Sequence, residues 1–95
     1  MTYRLTGKAA ADIRHIYAEG IRQFGPAQAA RYHARLERVF TLLSDNPELA
    51  RARPELSPPV RIHPCGSHLV IYRVEADGGI LIVRVRHGRE DWTGS

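Results

Sequence analysis

One cysteine, one lysine and one tryptophan are all that the 95 residues contain of those three types. The lone Cys65 excludes an intramolecular disulfide and any zinc site built on several thiolates. No stretch approaches the roughly 20 apolar residues of a membrane-crossing helix. The opening MTYRLTGKAAADIRHIY lacks the apolar run of a secretory leader, so the expected compartment is the cytoplasm. There is no P-loop, nucleophile elbow, carboxylate pair or metal-spaced histidine set. His63 and His68, on either side of a turn, come nearest to a metal pair, and neither metal nor cofactor is expected.

The length fits a single domain over residues 1–95 with one modest core. The formal charge is +4 and, with Lys8 the only lysine, arginine supplies almost all the positive side. The guanidinium fork suits phosphates and carboxylates, which makes nucleic acid or an acidic chain a natural partner. A GC-rich coding sequence would yield the same composition, so arginine count alone does not decide function.

Tyr3 and Leu5 alternate against polar neighbours, as in a short edge strand, and Thr6 can cap a following helix. Ala9, Ile13, Ile16, Tyr17, Ile21 and Phe24 then recur at steps of three and four. Gly25-Pro26 ends that helix and starts another, expected from Pro26 to about Asn46. Its apolar stripe is Ala29, Tyr32, Leu36, Val39, Phe40 and Leu43, with Gln28, Arg31, Arg35 and Arg38 opposite. So short a turn makes the helices antiparallel, stripe against stripe. Residues 47–59 read as a proline-rich loop. Strands are expected over 60–63, 68–74 and 80–86, the last two joined by a glycine hairpin. The fold class is therefore α+β: an N-terminal strand and an antiparallel helical hairpin packed on a small antiparallel β-sheet.

Simple alternation puts Leu81, Val83 and Val85 on one face of the last strand and Ile80, Ile82, Arg84 and Arg86 on the other. On the strand before it, Val70, Tyr72 and Val74 oppose Leu69, Ile71 and Arg73. Both faces carry large apolar residues, and the hairpin can cover only one. The other is expected to meet a partner, unless the sheet curls or is covered by its own strand and loop. Arg61, His63, His68, Tyr72, Arg73, Arg84, Arg86, His87 and Arg89 cluster in the final third. Together such groups could bind phosphate and move protons. Each also has a structural reading, as a turn ligand, a strand end or a core tyrosine with a wet hydroxyl.

At Tyr3-Arg4-Leu5-Thr6, Ala10-Ala11-Asp12-Ile13, Phe24-Gly25, Ala29-Ala30 with Tyr32, and the Leu36-to-Leu43 helix ending in Asn46-Pro47, the chain resembles the ParE branch of the ParE/RelE toxin superfamily. The likeness is strongest in Gly66-Ser67-His68-Leu69-Val70-Ile71-Tyr72-Arg73 and in Ile82 to Asp91. It implies a type II toxin that inhibits DNA gyrase, blocks replication and is neutralised by a ParD-like antitoxin in a hetero-oligomer. It implies no membrane partner, and nucleic acid only indirectly, through antitoxin or gyrase. On this reading no catalytic residue is expected. The antitoxin would cover Ile71, Arg73, Ile80, Ile82, Arg84 and Arg86, and His87, Arg89 and Trp92 would face the target. The RelE branch implies instead a ribosome-dependent mRNA endoribonuclease, for which Arg61, Arg84, His87 and Tyr72 are the candidates. The sheet has no lysine and no tyrosine follows its last strand, which favours the gyrase branch. A third possibility is an inactive module that only binds antitoxin.

Overall fold

A computed structural model describes residues 3–53 and 59–88. Strand β1 (Tyr3–Leu5) leads into helices α1 (Gly7–Phe24) and α2 (Pro26–Asp45), followed by β2 (Ala52–Arg53), β3 (Val60–Cys65), β4 (His68–Val74) and β5 (Ile80–His87). The sheet order is β1-β5-β4-β3-β2. Thr6 caps α1: its hydroxyl accepts from Ala9 N at 3.0 Å and donates to Val83 O at 2.7 Å. One side chain thus satisfies a helix end and a strand edge.

Two expectations about the sheet are corrected. It is mixed rather than purely antiparallel, because β1 pairs parallel with β5. The expected loop also holds a strand: β2 pairs antiparallel with the start of β3, Ala52 opposite Arg61 and Arg53 opposite Val60. A two-residue strand is too short to leave a periodic signal.

The third correction is the face assignment on β5. Ile71 pairs with Arg84, but its neighbour Tyr72 pairs with Ile82, so Val83 is an extra residue on β5. This bulge reverses the alternation. Ile80, Ile82 and Val85 consequently share the face toward the helices and are almost wholly buried. Ile80 and Ile82, expected on the open face, lie in the core with Val70, Tyr72, Leu36, Phe40 and Leu43. Ile71 does lie on the face away from them, opposite Ile62, yet is only 3% exposed.

The helices do not pack stripe against stripe along their whole length. α1 has 18 residues, about 27 Å at ~1.5 Å per residue. Only Ala9 is buried in it. In α2 the buried residues are Ala29, Leu36, Phe40, Leu43 and Ser44, concentrated in its second half. The core therefore sits under the start of α1 and the end of α2. Near the turn the helices chiefly touch each other: a Cβ on Gly20 would lie 3.3 Å from that of Ala29. The tip of the hairpin leaves Tyr17, Ile21 and Phe24 exposed, Phe24 at 63%.

Candidate functional site: a cleft under the hairpin tip

A cleft of about 1180 Å³ opens between the hairpin and one end of the sheet. Ile13, Ile16, Tyr17, Gly20 and Phe24 of α1 supply apolar wall, and Arg31, Arg35 and Arg38 of α2 supply charge. Ser67, His68, Val85, Arg86 and His87 line it from the sheet. The mixture follows from the helical repeat. On α1 the apolar stripe continues beyond the core it packs on, while the arginines recur on α2 at spacings of four and three.

Tyr32 ties α2 to the sheet end. Its hydroxyl donates to Cys65 O at 2.9 Å and lies 2.7 Å from His68 Nδ1. With the single phenolic proton given to the carbonyl, the hydroxyl accepts from Nδ1–H, which assigns that tautomer to His68. Burial pushes the Tyr32 phenol above its ordinary pKa. His68 stands edge-on to His87, ring centres 5.5 Å apart. The β3–β4 turn makes room for the Tyr32 ring: Gly66 has φ +58°, and a Cβ there would sit 2.7 Å from that ring. Among these, only the histidines and the turn stood out from the sequence. Tyr32 read as an ordinary member of an apolar stripe.

The residues proposed for ribonuclease chemistry do not form one cluster: Arg61 and Tyr72 face each other across β3 and β4, apart from Arg84 and His87. Tyr72 is fully buried and donates to Pro47 O at 2.9 Å, while accepting from Ala50 N at 3.3 Å. Arg61 donates to Ala50 O at 2.6 Å. Both fasten the segment after α2 to the sheet, and burial raises the Tyr72 pKa. Arg84 instead reaches α1, donating to Asp12 through Nε at 2.8 Å and Nη2 at 3.0 Å. His87 lies at the cleft beside His68. Arg61 and Tyr72, engaged with Pro47 and Ala50, do not line the cleft.

Of the residues expected to meet antitoxin, Arg86 lines the cleft, Arg73 is exposed, Arg84 is bound to Asp12 and Ile71 is buried outside the main core. Of those expected to meet the target, His87 is placed as above, whereas Arg89 and Trp92 lie outside the described residues. Cys65 is buried, and that burial raises its thiol pKa.

A two-helix hairpin on a five-stranded mixed sheet, with a cleft between the hairpin and one end of the sheet, defines a small α+β fold. Residues 3–92 match the ParE toxin of the type II toxin–antitoxin system parDE. The chain is 35% identical over 89 residues to toxin ParE1 of Mycobacterium tuberculosis, covering 94% of this chain and 91% of that one. It is likewise 35% identical over 89 residues to toxin ParE of Escherichia coli, covering 94% and 86%. In structure it resembles the chromosomal ParDE toxin–antitoxin system from P. aeruginosa, with a TM-score of 0.77 and 26% identity over 92% of this chain and 95% of that one. The chain belongs to the ParE toxin family of type II toxin–antitoxin systems.

Proposed function

We propose that this toxin acts in the cytoplasm by inhibiting DNA gyrase and that a cognate antitoxin neutralises it by seating in the cleft under the hairpin tip. Membership of the ParE family supports the gyrase target. The observation that carries the choice against RNA cleavage is that the candidate groups are engaged in structural contacts away from His87: Tyr72 and Arg61 with Pro47 and Ala50, and Arg84 with Asp12. A base, an acid and a phosphate clamp must converge within hydrogen-bond reach of one scissile group, and these do not.

The antitoxin reading is supported by the exposed apolar residues of α1, which large partners usually cover, and by the toxin–antitoxin pairing of the P. aeruginosa neighbour. Purified toxin should inhibit gyrase supercoiling, and added antitoxin should restore it. The same preparation should leave mRNA on programmed ribosomes intact. Codon-positioned cuts that disappear in His87→Ala would overturn the proposal in favour of the ribonuclease.

A further inference from the structure

Tyr32, Cys65 and Gly66 together hold one imidazole at the rim of the cleft. The Tyr32 hydroxyl donates to Cys65 O at 2.9 Å and lies 2.7 Å from His68 Nδ1. Ser67 Oγ stands 3.4 Å from the same nitrogen. The Tyr32 ring fits because Gly66, at φ +58°, has no side chain to meet it. An apolar pair could fill this space without enclosing polar groups that each need a partner.

What the polar groups add is orientation. A hydroxyl that gives its one proton to Cys65 O accepts from Nδ1, so neutral His68 carries its proton there and its lone pair on Nε2. His68 lines the cleft and is half-buried. His87 stands beside it. Gly88 N donates to Ser67 O at 2.9 Å, so the next pair along the ladder, His68 with His87, is of the non-hydrogen-bonded kind, whose side chains approach most closely. The two rings meet edge to face.

The surroundings select what such an acceptor can take. Burial dominates the raised pKa values of Tyr32 and Cys65, and the positive charge of Arg35 works against it at both, so that charge reaches the turn. Arg38 adds to it at Cys65, and Arg86, next to His87, lines the same cleft. A lysine, an arginine or a metal ion would be repelled there. A backbone N–H, an amide or a hydroxyl would not.

We infer, resting on the toxin reading above, that Tyr32 is a positioning residue, which sets His68 so that Nε2 accepts a neutral hydrogen-bond donor from the toxin's target, with His87 as the second wall of that contact. A side chain locked by its own supporting contacts gives up less freedom when it binds, and that is what the lock contributes.

Two isosteres separate the two ring nitrogens. His68→Asn keeps a donor near the place of Nδ1 and removes Nε2. His68→Gln keeps an acceptor near the place of Nε2 and gives up the bond to Tyr32. Both, with Tyr32→Phe and wild type, are expressed as full chains without antitoxin, and the cellular toxin level that halts growth is measured beside a thermal melt. His68→Asn should need about tenfold more toxin, the effect of one lost hydrogen bond, at nearly wild-type Tm. His68→Gln should melt lower yet stay the more toxic of the two. Tyr32→Phe should lose the Nδ1–H signature of His68 in nitrogen NMR spectra and weaken arrest with it. A merely structural tyrosine would lower Tm and leave arrest per folded molecule unchanged. His68→Asn protein that arrests growth at the wild-type level overturns the inference, as does a wild-type spectrum with the neutral His68 proton on Nε2. A His68→Asn protein that loses affinity for antitoxin alone overturns it too, by giving the ring to the antitoxin. Supercoiling inhibition by wild type is read in parallel: arrest without it removes gyrase as the target and leaves the His68 comparison standing. Wild type that fails to arrest growth at verified expression removes both.

Discussion

Asp12 on α1 holds β5 by three hydrogen bonds, from Arg84 Nε at 2.8 Å, Arg84 Nη2 at 3.0 Å and Val85 N at 3.0 Å. Strand β1 ends opposite Ile82, so beyond that point the edge of β5 has no neighbouring strand among the described residues. Thr6 and Asp12 take over, one accepting through its carboxylate and the other donating its hydroxyl. The first turns of α1 thereby close the sheet edge that β1 leaves open.

Asp12→Ala should destabilise the fold by about 1–3 kcal/mol, since it removes a charge-assisted pair and deprives a backbone donor of its acceptor. Burial pushes the Asp12 carboxyl up, but hydrogen bonds from Arg84 and Val85 and the charges of Arg84 and Arg86 outweigh it, so its pKa lies below the usual carboxylate value. A depressed folded-state pKa gives stability that is present above the unfolded-state value and lost as pH falls through the folded one. Denaturant melts from pH 7 downward should therefore show wild type losing its advantage over Asp12→Ala in the acid range. An advantage that grows on acidification would contradict the sign.

Charge placed on either face of the sheet separates the bulged register from simple alternation. Ile82→Asp should unfold the domain, because it buries a charge among Tyr72, Leu36 and Phe40. Arg73→Glu, at an exposed position on the opposite face, should leave the circular dichroism spectrum intact. A folded Ile82→Asp protein would mean that the β5 register is wrong.

Tyr72→Phe should cost about 1–2 kcal/mol, chiefly by leaving Ala50 N and Pro47 O short of a partner. The loss should appear in thermal melts and in faster hydrogen exchange around Ala50. Gyrase inhibition by the folded fraction should be unchanged, because the hydroxyl is buried and engaged with Pro47 and Ala50. A selective loss of activity at unchanged stability would give Tyr72 a direct role.

Gly66 and Gly78 both have positive φ, +58° and +89°, yet only Gly66 faces a side chain. Alanine at either position carries a backbone cost of about 1 kcal/mol. Gly66→Ala should cost clearly more, because its Cβ would meet the Tyr32 ring at 2.7 Å while Gly78 has nothing within 4 Å. Comparing the two melts isolates the Tyr32 contact. Equal losses would show that the turn, and not the ring above it, sets the requirement.

Local chemistry accounts for what the chain itself made legible. Thr6 caps α1, Gly25-Pro26 divides the helices and Asn46 closes α2, as their side chains and φ restrictions require. Strands β4 and β5 and the turn between them follow from apolar runs around Asp77-Gly78-Gly79. The family likeness was legible for the same reason, since its strongest segments are contiguous along the chain.

Tertiary structure alone decided which face each β5 residue takes. Six consecutive residues, Ile80 to Val85, offer no alternation except Arg84 to mark the extra residue, and a bulge is fixed only by pairing with β4. The cleft was hidden for a related reason. Periodicity shows that α1 has an apolar stripe but not where the sheet beneath it ends. Arg31, Arg35 and Arg38 could be placed on one helical face from their spacing, but which arginines meet a carboxylate depends on contacts between residues distant in the chain. Arg84 and Asp12, 72 positions apart, are such a contact.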